Sequence, residues 1–163
     1  MSFKVLTTLV ALQLAVAAPL AAQPADNALG GAASPAVPST LQILDAADVD
    51  LDSYLWTKRV LVVFADTPAD PRYIEQMRML TDRPSDLLER DVIVVTDTAP
   101  SERTPPRRTL RPRGFALVLV DKDGGVKLRK PSPWSTREIS RSIDKTPLRR
   151  DEIRERGGGT LGR

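Results

Sequence analysis

An unbroken run of apolar and mostly β-branched residues, VLVVFA at 60–65, constrains the fold more than any other stretch of the chain. A strand with one face in water alternates between apolar and polar residues, whereas a strand covered on both faces does not. The run therefore predicts a central strand with helices packed on both sides, which is an α/β architecture. A second such run, DVIVVTD at 91–97, predicts another buried strand.

Helix signals lie around these two strands. Asp70 precedes Pro71, which fits a helix N-cap followed by proline at the first helical position. Ile74, Met77 and Leu80 then follow at helical spacing. Further short helices are predicted over residues 48–56 and 85–90.

The second half of the chain predicts a hairpin and a closing helix. The stretch GFALVLVDKDGGVKLRK, residues 114–130, contains two strand-like runs joined across Asp-Gly, a pair that favours a tight turn. Ser135 and Glu138 have the spacing of a capping box, and Trp134 is placed to pack on Ile139. Residues 98–113, with four prolines and five arginines, are predicted to form a loop.

The order of these elements is helix, strand, helix, strand, loop, hairpin and helix. A βαβ unit followed by a β-hairpin and a closing helix is the plan of a thioredoxin-like domain, and right-handed crossovers leave few other arrangements. We therefore expect a thioredoxin-like three-layer sandwich, in which helices flank a central mixed sheet of four to five strands.

The ends of the chain differ in composition from this domain. Lys4 precedes an apolar stretch over residues 5–18 and then small residues, which predicts a secretory signal over residues 1–22 with cleavage within residues 17–23. An uncleaved membrane anchor is the alternative, although the apolar stretch is short for a span. Residues 23–40 are predicted to be a disordered linker, 41–153 the domain and 154–163 a flexible tail. The expected location is the periplasm or the medium.

The absence of two residue types excludes several chemistries. The chain has 163 residues without cysteine or histidine. Thiol-disulfide exchange, imidazole acid-base catalysis and the usual zinc or copper sites therefore lack their essential groups. We expect no metal and no cofactor, and only carboxylates, hydroxyls, lysines and arginines remain for chemistry.

Four sequence blocks resemble, in the same order, the family known as domain of unknown function 4174. The blocks are WTKRVLVVFA, LLERDVIVV, GFALVLVDKDGGVKLRK and IDKTPLRRDEI. The resemblance covers residues 51–153 and implies a thioredoxin-like or peroxiredoxin-like fold in exported bacterial proteins. It also implies a domain shared with animal extracellular-matrix proteins that carry sushi repeats. Many relatives read Met-Pro-Met-Arg where this chain has TPLR at 146–149.

The resemblance implies no redox activity for this chain. When the strand and loop at 60–73 are compared with those of a thioredoxin, the Cys-x-x-Cys position falls on residues 69–72, Ala-Asp-Pro-Arg. The proline is retained and both cysteines are absent, so thiol-disulfide chemistry is impossible here.

Charged residues supply the candidate binding sites, and each has a plainer structural explanation. The predicted helix N-terminus at Asp70 and Arg72 suits an anion, unless the Asp70 carboxylate caps the helix itself. The basic loop suits an anionic surface, unless its arginines are simply solvated. It contains Arg103, Arg107, Arg108, Arg111 and Arg113.

Four further cations complete the set of candidates. Lys122 and Lys127 on the hairpin either bind a partner or protect a sheet edge. Arg149 and Arg150 either bind a partner or clasp the acidic segment at residues 45–52. The candidate binding residues are thus Asp70, Arg72, Arg107, Arg108, Lys122, Lys127, Arg149 and Arg150.

The sequence favours a non-enzymatic exported module that holds a protein or an anionic envelope component. The contact surface would be the helix N-terminus, the hairpin and the basic loop. Nucleic acid is not an expected partner, because the loop has no aromatic residue to stack on bases. A cysteine-free hydrolase or peroxidase-like enzyme using Asp66, Asp70 and Arg72 is one alternative, and a purely structural envelope protein is another.

Overall fold

A computed structural model describes residues 40–158 of the chain. The strands are β1 (Ile43–Asp45), β2 (Arg59–Phe64), β3 (Val92–Asp97), β4 (Ala116–Val120) and β5 (Val126–Lys130). The α-helices are α1 (Pro71–Asp82), α2 (Pro84–Leu88), α3 (Pro105–Leu110), α4 (Thr136–Asp144) and α5 (Pro147–Gly158). The predicted signal sequence and almost all of the predicted linker lie outside the described residues.

The five strands form one mixed sheet in the order β1-β3-β2-β4-β5. β1, β3 and β2 are parallel to one another. β4 is antiparallel to β2, and β5 is antiparallel to β4. This sheet, with helices around it, confirms the predicted α/β fold class.

Strand β2 is central and buried along its whole length, as its continuous apolar sequence predicts. Leu61 and Val63 belong to the core on one face of the sheet, against α1, α2 and α4. Val60 and Val62 belong to the core on the other face, against α3 and the segment that follows β1. Successive side chains of β2 point to opposite faces of the sheet, and both faces are covered, so this one strand contributes residues to both cores.

The helix predicted over residues 48–56 is wrong in type. The structure has two 3₁₀-helices instead, at Ala46–Asp48 and Leu51–Tyr54. The Asp45 carboxylate accepts a hydrogen bond from the backbone N–H of Ala47 and the Asp50 carboxylate accepts one from that of Asp52. Aspartates that bind backbone N–H groups two residues on favour short turns over a continuous helix. The sequence also did not predict β1.

The loop predicted over residues 98–113 contains helical structure. A 3₁₀-helix spans Pro100–Glu102, and α3 follows with Pro105 at its first position. Thr104 is the N-cap, and its hydroxyl accepts a hydrogen bond from the backbone N–H of Arg107. The prolines that suggested a loop therefore start helices, because a proline at the first helical position loses no hydrogen bond.

The hairpin and the closing helix form as predicted. The N–H of Gly124 donates to the carbonyl of Asp121, and Gly124 has a φ of +78°. In α4, Ser135 and Glu138 form the reciprocal capping box, and Trp134 packs against the core that contains Ile139. The predicted tail boundary at residue 154 falls inside α5, which continues to Gly158.

Candidate functional site

The N-terminus of α1 lies at the end of the sheet where β2 and β3 finish. A side chain of the same segment caps its free backbone N–H groups. The Asp70 carboxylate accepts a hydrogen bond from the backbone N–H of Arg72 at 2.9 Å. It also accepts two from the Arg72 guanidinium, at 3.2 and 2.9 Å. This pairing lowers the pKa of Asp70, so the carboxylate is ionised near neutral pH and has no proton to donate.

Arg107 is committed to a buried contact at the same end of the sheet. Its guanidinium donates to the Asp97 carboxylate, at a shortest distance of 2.8 Å, and to the carbonyl of Ala65 at 2.9 Å. The hydroxyl of Thr104 donates to the same carboxylate at 2.6 Å. Since Asp97 is 3% exposed, this pair fixes α3 to the ends of β2 and β3 and leaves Arg107 little freedom to bind a partner.

A larger ion network occupies the opposite end of the sheet. Arg59, at the start of β2, is fully buried. Its Nε donates to Asp121 at 2.7 Å, and its terminal nitrogens donate to Glu152 of α5 at 2.9 and 3.3 Å. Arg59 also donates to the carbonyl of Arg90 at 2.9 Å. One arginine thus joins two strands, the segment before β3 and the C-terminal helix.

Two further cations of the network hold the same carboxylate. The Lys122 ammonium lies 3.0 Å from Glu152 and 2.9 Å from Asp91, and Arg149 donates to Glu152 at 3.1 Å. Burial raises the pKa of Glu152, but hydrogen bonds from Arg59, Lys122 and Arg149 outweigh that effect and lower the pKa to about 2. Glu152 is therefore ionised near neutral pH.

Arg149 does not clasp the acidic segment at residues 45–52, which was one of its two predicted roles. It is 7% exposed, and its ion pairs are with Glu152 and Asp144. Asp144 also forms a two-fold ion pair with Arg90, at 2.9 and 2.8 Å, and this pair lowers the pKa of Asp144. The contact is a clasp, but its carboxylates come from α4 and α5.

The remaining predicted residues divide into one paired and two exposed cations. Lys127 pairs with Asp123 across the hairpin turn at 2.8 Å, which lowers the pKa of Asp123. Arg108 and Arg150 are exposed, and neither forms an ion pair within residues 40–158. Six of the eight candidate residues are therefore already engaged with other groups of the chain.

A groove lined by cations, which we call the basic groove, lies beside the N-terminus of α1. It has a volume of about 510 Å³. Its lining residues are Leu110, Arg111, Arg113, Phe115, Ala116, Arg129, Lys130 and Pro131. Four of these side chains are cationic and none is acidic, and none of the four forms an ion pair with another described residue. The Arg72 guanidinium, which is paired with Asp70, lies 5.3 Å from the centre of the Phe115 ring at the groove's border.

The sequence pointed to only two of the four cations in this groove. Arg111 and Arg113 belong to the predicted basic loop, but they were not among the selected binding residues. Arg129 and Lys130 were missed altogether, because they belong to β5 in the sequence. Their position opposite the basic loop follows from the pairing of β5 with β4.

No site for a metal ion is evident in the described part of the chain. Residues 40–158 contain no group of three carboxylates, histidines or cysteines arranged to ligate one. The same residues include no helix that is both long and apolar enough to cross a membrane.

Comparison with known families now identifies the domain. Residues 50–152 match the profile of a domain of unknown function, DUF4174. The chain belongs to the DUF4174 family. The four blocks that carried the resemblance meet in three dimensions, because Arg59, Arg90, Lys122 and Glu152 each come from a different one. No curated protein matches this DUF4174 chain significantly.

Solved structures similar to the DUF4174 domain have thioredoxin-like folds. A reduced 2-Cys peroxiredoxin from Plasmodium vivax aligns with a TM-score of 0.51 at 16% identity, over 64% of this chain and 85% of that chain. A chloroplastic thioredoxin z aligns with a TM-score of 0.49 at 19% identity, over 66% and 98%. A secreted disulfide oxidoreductase of Mycobacterium tuberculosis aligns with a TM-score of 0.42 at 15% identity, over 60% and 88%.

The similarity to the 2-Cys peroxiredoxin shows the fold alone. The DUF4174 chain has no cysteine and therefore lacks the thiol that peroxiredoxin and thioredoxin chemistry requires. The N-terminus of α1, where the sequence comparison placed the redox motif of a thioredoxin, is occupied by the ion pair of Asp70 and Arg72.

Proposed function

We propose that this DUF4174 protein is an exported, non-enzymatic module that binds an anionic component of the cell envelope in the basic groove. The observation that carries the proposal is a set of four cations, Arg111, Arg113, Arg129 and Lys130, that surround a concave surface and form no ion pair with another described residue. Arg59 and Arg107, by contrast, are held by carboxylates of the chain itself.

The charge of the groove favours an anion that carries several oxygens. Arginine presents a planar fork of donors that matches phosphate and carboxylate oxygens, and three of the four cations are arginines. Like charges that surround one cavity repel each other, and an anion relieves that repulsion. Arg129 is partly positioned already, because its guanidinium donates to the carbonyl of Leu110 at 2.8 Å.

The state of the carboxylates supports a binding role over catalysis. Asp70 is tied to Arg72, Asp97 to Arg107 and Glu152 to Arg59. An acid-base mechanism needs two groups whose pKa values lie apart, one of them high enough to carry a proton near neutral pH. The pKa values of Asp70 and Glu152 are both lowered, which argues against Asp70 as the acid of the alternative enzyme that would use Asp66, Asp70 and Arg72.

Calorimetric titration of the full chain with inorganic tripolyphosphate tests the groove. We expect binding that weakens steeply as the salt concentration rises, because the four cations are near the surface. The double variant Arg111→Glu and Arg113→Glu reverses half of the groove's charge. It is expected to lower the affinity at least tenfold.

The matched control is the double variant Arg108→Glu and Arg150→Glu. It changes the net charge by the same amount at two exposed arginines that do not line the groove. Its affinity for tripolyphosphate is expected to stay within about twofold of the original chain. Equal losses in both double variants would show a non-specific charge effect, and no loss in either would place the binding outside the groove; each result would overturn the proposal.

A further inference from the structure

A second cavity adjoins the basic groove along the β4-β5 hairpin. Its volume is about 230 Å³. It is lined by the apolar residues Leu51, Tyr54, Leu55, Val60, Leu110, Val120 and Val126, by the charged side chains of Asp52, Lys58, Asp121 and Arg129, and by Thr109 and Gly124. Leu110 and Arg129 line both this cavity and the basic groove, so the two spaces share a wall.

The shared wall is a single side-chain contact. Arg129 Nη2 donates to the carbonyl of Leu110 at 2.8 Å, and Arg129 is on the exposed side of β5. The contact joins the end of α3 to the outer strand of the sheet. Arg129 therefore stands between the basic groove and the second cavity.

The two spaces together follow the length of a strand. Ala116, at the start of β4, lines the basic groove, and Val120, at its end, lines the apolar cavity. The four residue steps from Ala116 to Val120 span about 14 Å at the usual rise of a strand. A ligand that fills both spaces is therefore elongated, with its anionic end at Arg111 and Arg113 and its apolar end near Val126.

We infer that the ligand is a single-chain lipid with an anionic headgroup. The headgroup oxygens pair with Arg111, Arg113 and Lys130, and the acyl chain passes Leu110 into the apolar cavity. This inference rests on the proposed function and deepens it, because it names the chemical class that the groove takes. A lipid chain fits the combination of one cationic space and one space whose lining is mostly apolar, whereas a small free anion leaves the second space empty.

The size of the site also favours a small amphiphile. Ligand cavities of soluble proteins measure roughly 300 to 1,000 Å³ and combine an apolar lining with a few polar groups. Each methylene that leaves water contributes about 0.8 kcal/mol, which corresponds to roughly a fourfold gain in affinity. The length of the ligand's acyl chain is therefore a sensitive test of whether this cavity takes part in binding.

The experiment compares three probes by calorimetry with the full chain. Dodecyl phosphate, used below its micelle concentration, carries both features; butyl phosphate keeps the phosphate with a short chain; and dodecyl maltoside keeps the chain without the charge. We expect dodecyl phosphate to bind at least 100-fold more tightly than either of the other two. Equal affinities for dodecyl and butyl phosphate would overturn the lipid inference.

Two variants separate the apolar cavity from the charged groove. Val126→Trp fills the cavity at its mouth, where Val126 is 46% exposed and a larger side chain is easily tolerated. It is expected to lower the affinity for dodecyl phosphate at least tenfold and to leave the affinity for tripolyphosphate unchanged. Leu51→Asn, which puts an amide into the cavity, is expected to act in the same direction without adding bulk.

The control for these variants is Ile74→Trp. Ile74 is an exposed apolar residue on α1 that lines neither cavity, so its replacement leaves the affinities for all probes unchanged. If Val126→Trp and Leu51→Asn bind dodecyl phosphate normally, the lipid inference fails. The proposed function still stands in that case, provided that Arg111→Glu with Arg113→Glu abolishes tripolyphosphate binding.

A competing acidic peptide tests the other candidate for the ligand, which is an acidic segment of a protein. A tetraglutamate peptide that displaces dodecyl phosphate and binds more tightly would assign the groove to an acidic protein segment and overturn the lipid inference. Weak or undetectable binding of this peptide is the expected result, because it offers nothing to the apolar cavity.

Discussion

At the scale of single residues, Arg59 and Glu152 decide how the C-terminal helix is held. α5 is polar around its circumference, and Arg149 is the one buried residue among those the structure describes in it. A helix of this kind gains little from apolar burial. The contact of Glu152 with Arg59, Lys122 and Arg149 therefore supplies much of the attachment of α5 to the sheet.

Replacement of Glu152 tests this attachment. In Glu152→Gln the buried Arg59 keeps its charge but loses one of its two carboxylate partners, and an unpaired buried charge is costly. We expect the free energy of unfolding at pH 7 to fall by about 2 kcal/mol, measured by urea denaturation.

The neighbouring Asp151→Asn is the matched control for this measurement. Asp151 pairs with Arg154 on the surface of the same helix, with 54% of the aspartate side chain exposed. Its loss is expected to change the unfolding free energy by less than about 0.5 kcal/mol. Similar losses in both variants would mean that the helix is not held by Glu152.

At the scale of elements, the hairpin between β4 and β5 shows how one residue sets a turn. Gly124 has a φ of +78°, a backbone conformation that glycine adopts readily and that is costly for residues with a Cβ atom. A Cβ atom at Gly124 would lie 3.0 Å from Cδ2 of Leu55. The glycine therefore allows both the turn and the close approach of the segment before β2.

Gly124→Ala is expected to lower the unfolding free energy by about 1 to 2 kcal/mol, because it adds backbone strain and a steric contact. Gly125→Ala is its control, since Gly125 has no positive φ and an added Cβ meets only the movable ends of Asp123 and Lys127. Thermal denaturation of both variants measures the difference. An equal effect of the two substitutions would contradict the role assigned to Gly124.

At the scale of the whole molecule, carboxylates with lowered pKa values make stability depend on pH. These residues are Asp70, Asp123, Glu138, Asp144 and Glu152. A carboxylate whose pKa is lower in the folded state binds fewer protons there than in the unfolded chain, so stability rises with pH. The contribution is complete above the unfolded pKa and is lost as the pH falls through the folded pKa.

Glu152 gives this effect a definite range. Its pKa is about 2 in the folded chain, against about 4.3 in an unfolded one. We expect its share of stability, about 2 kcal/mol after screening by water, to be lost between pH 5 and pH 2. Urea denaturation at several pH values should show a shallower acid decline for Glu152→Gln than for the original chain. Parallel curves for the two proteins would contradict the assignment.

The sequence by itself determined the elements that depend on near neighbours. The buried strands 60–65 and 91–97, the N-cap at Asp70, the hairpin turn at Gly124 and the capping box of α4 follow from spacing along a few residues. The same reasoning failed where local signals are ambiguous, at the 3₁₀-helices after β1 and at the prolines that begin α3. The lack of cysteine, which excludes redox chemistry, also required no structure.

Only the tertiary structure decided which cations are free. Arg59 and Glu152 are separated by 93 residues, and Arg129 meets the carbonyl of Leu110 across 19 residues. Neither contact follows from a local pattern, because both depend on the order in which the strands join the sheet and on where α5 packs. A charged side chain looks the same in the sequence whether a distant carboxylate neutralises it or solvent surrounds it, and so the groove was visible only once the sheet had brought β5 beside α3.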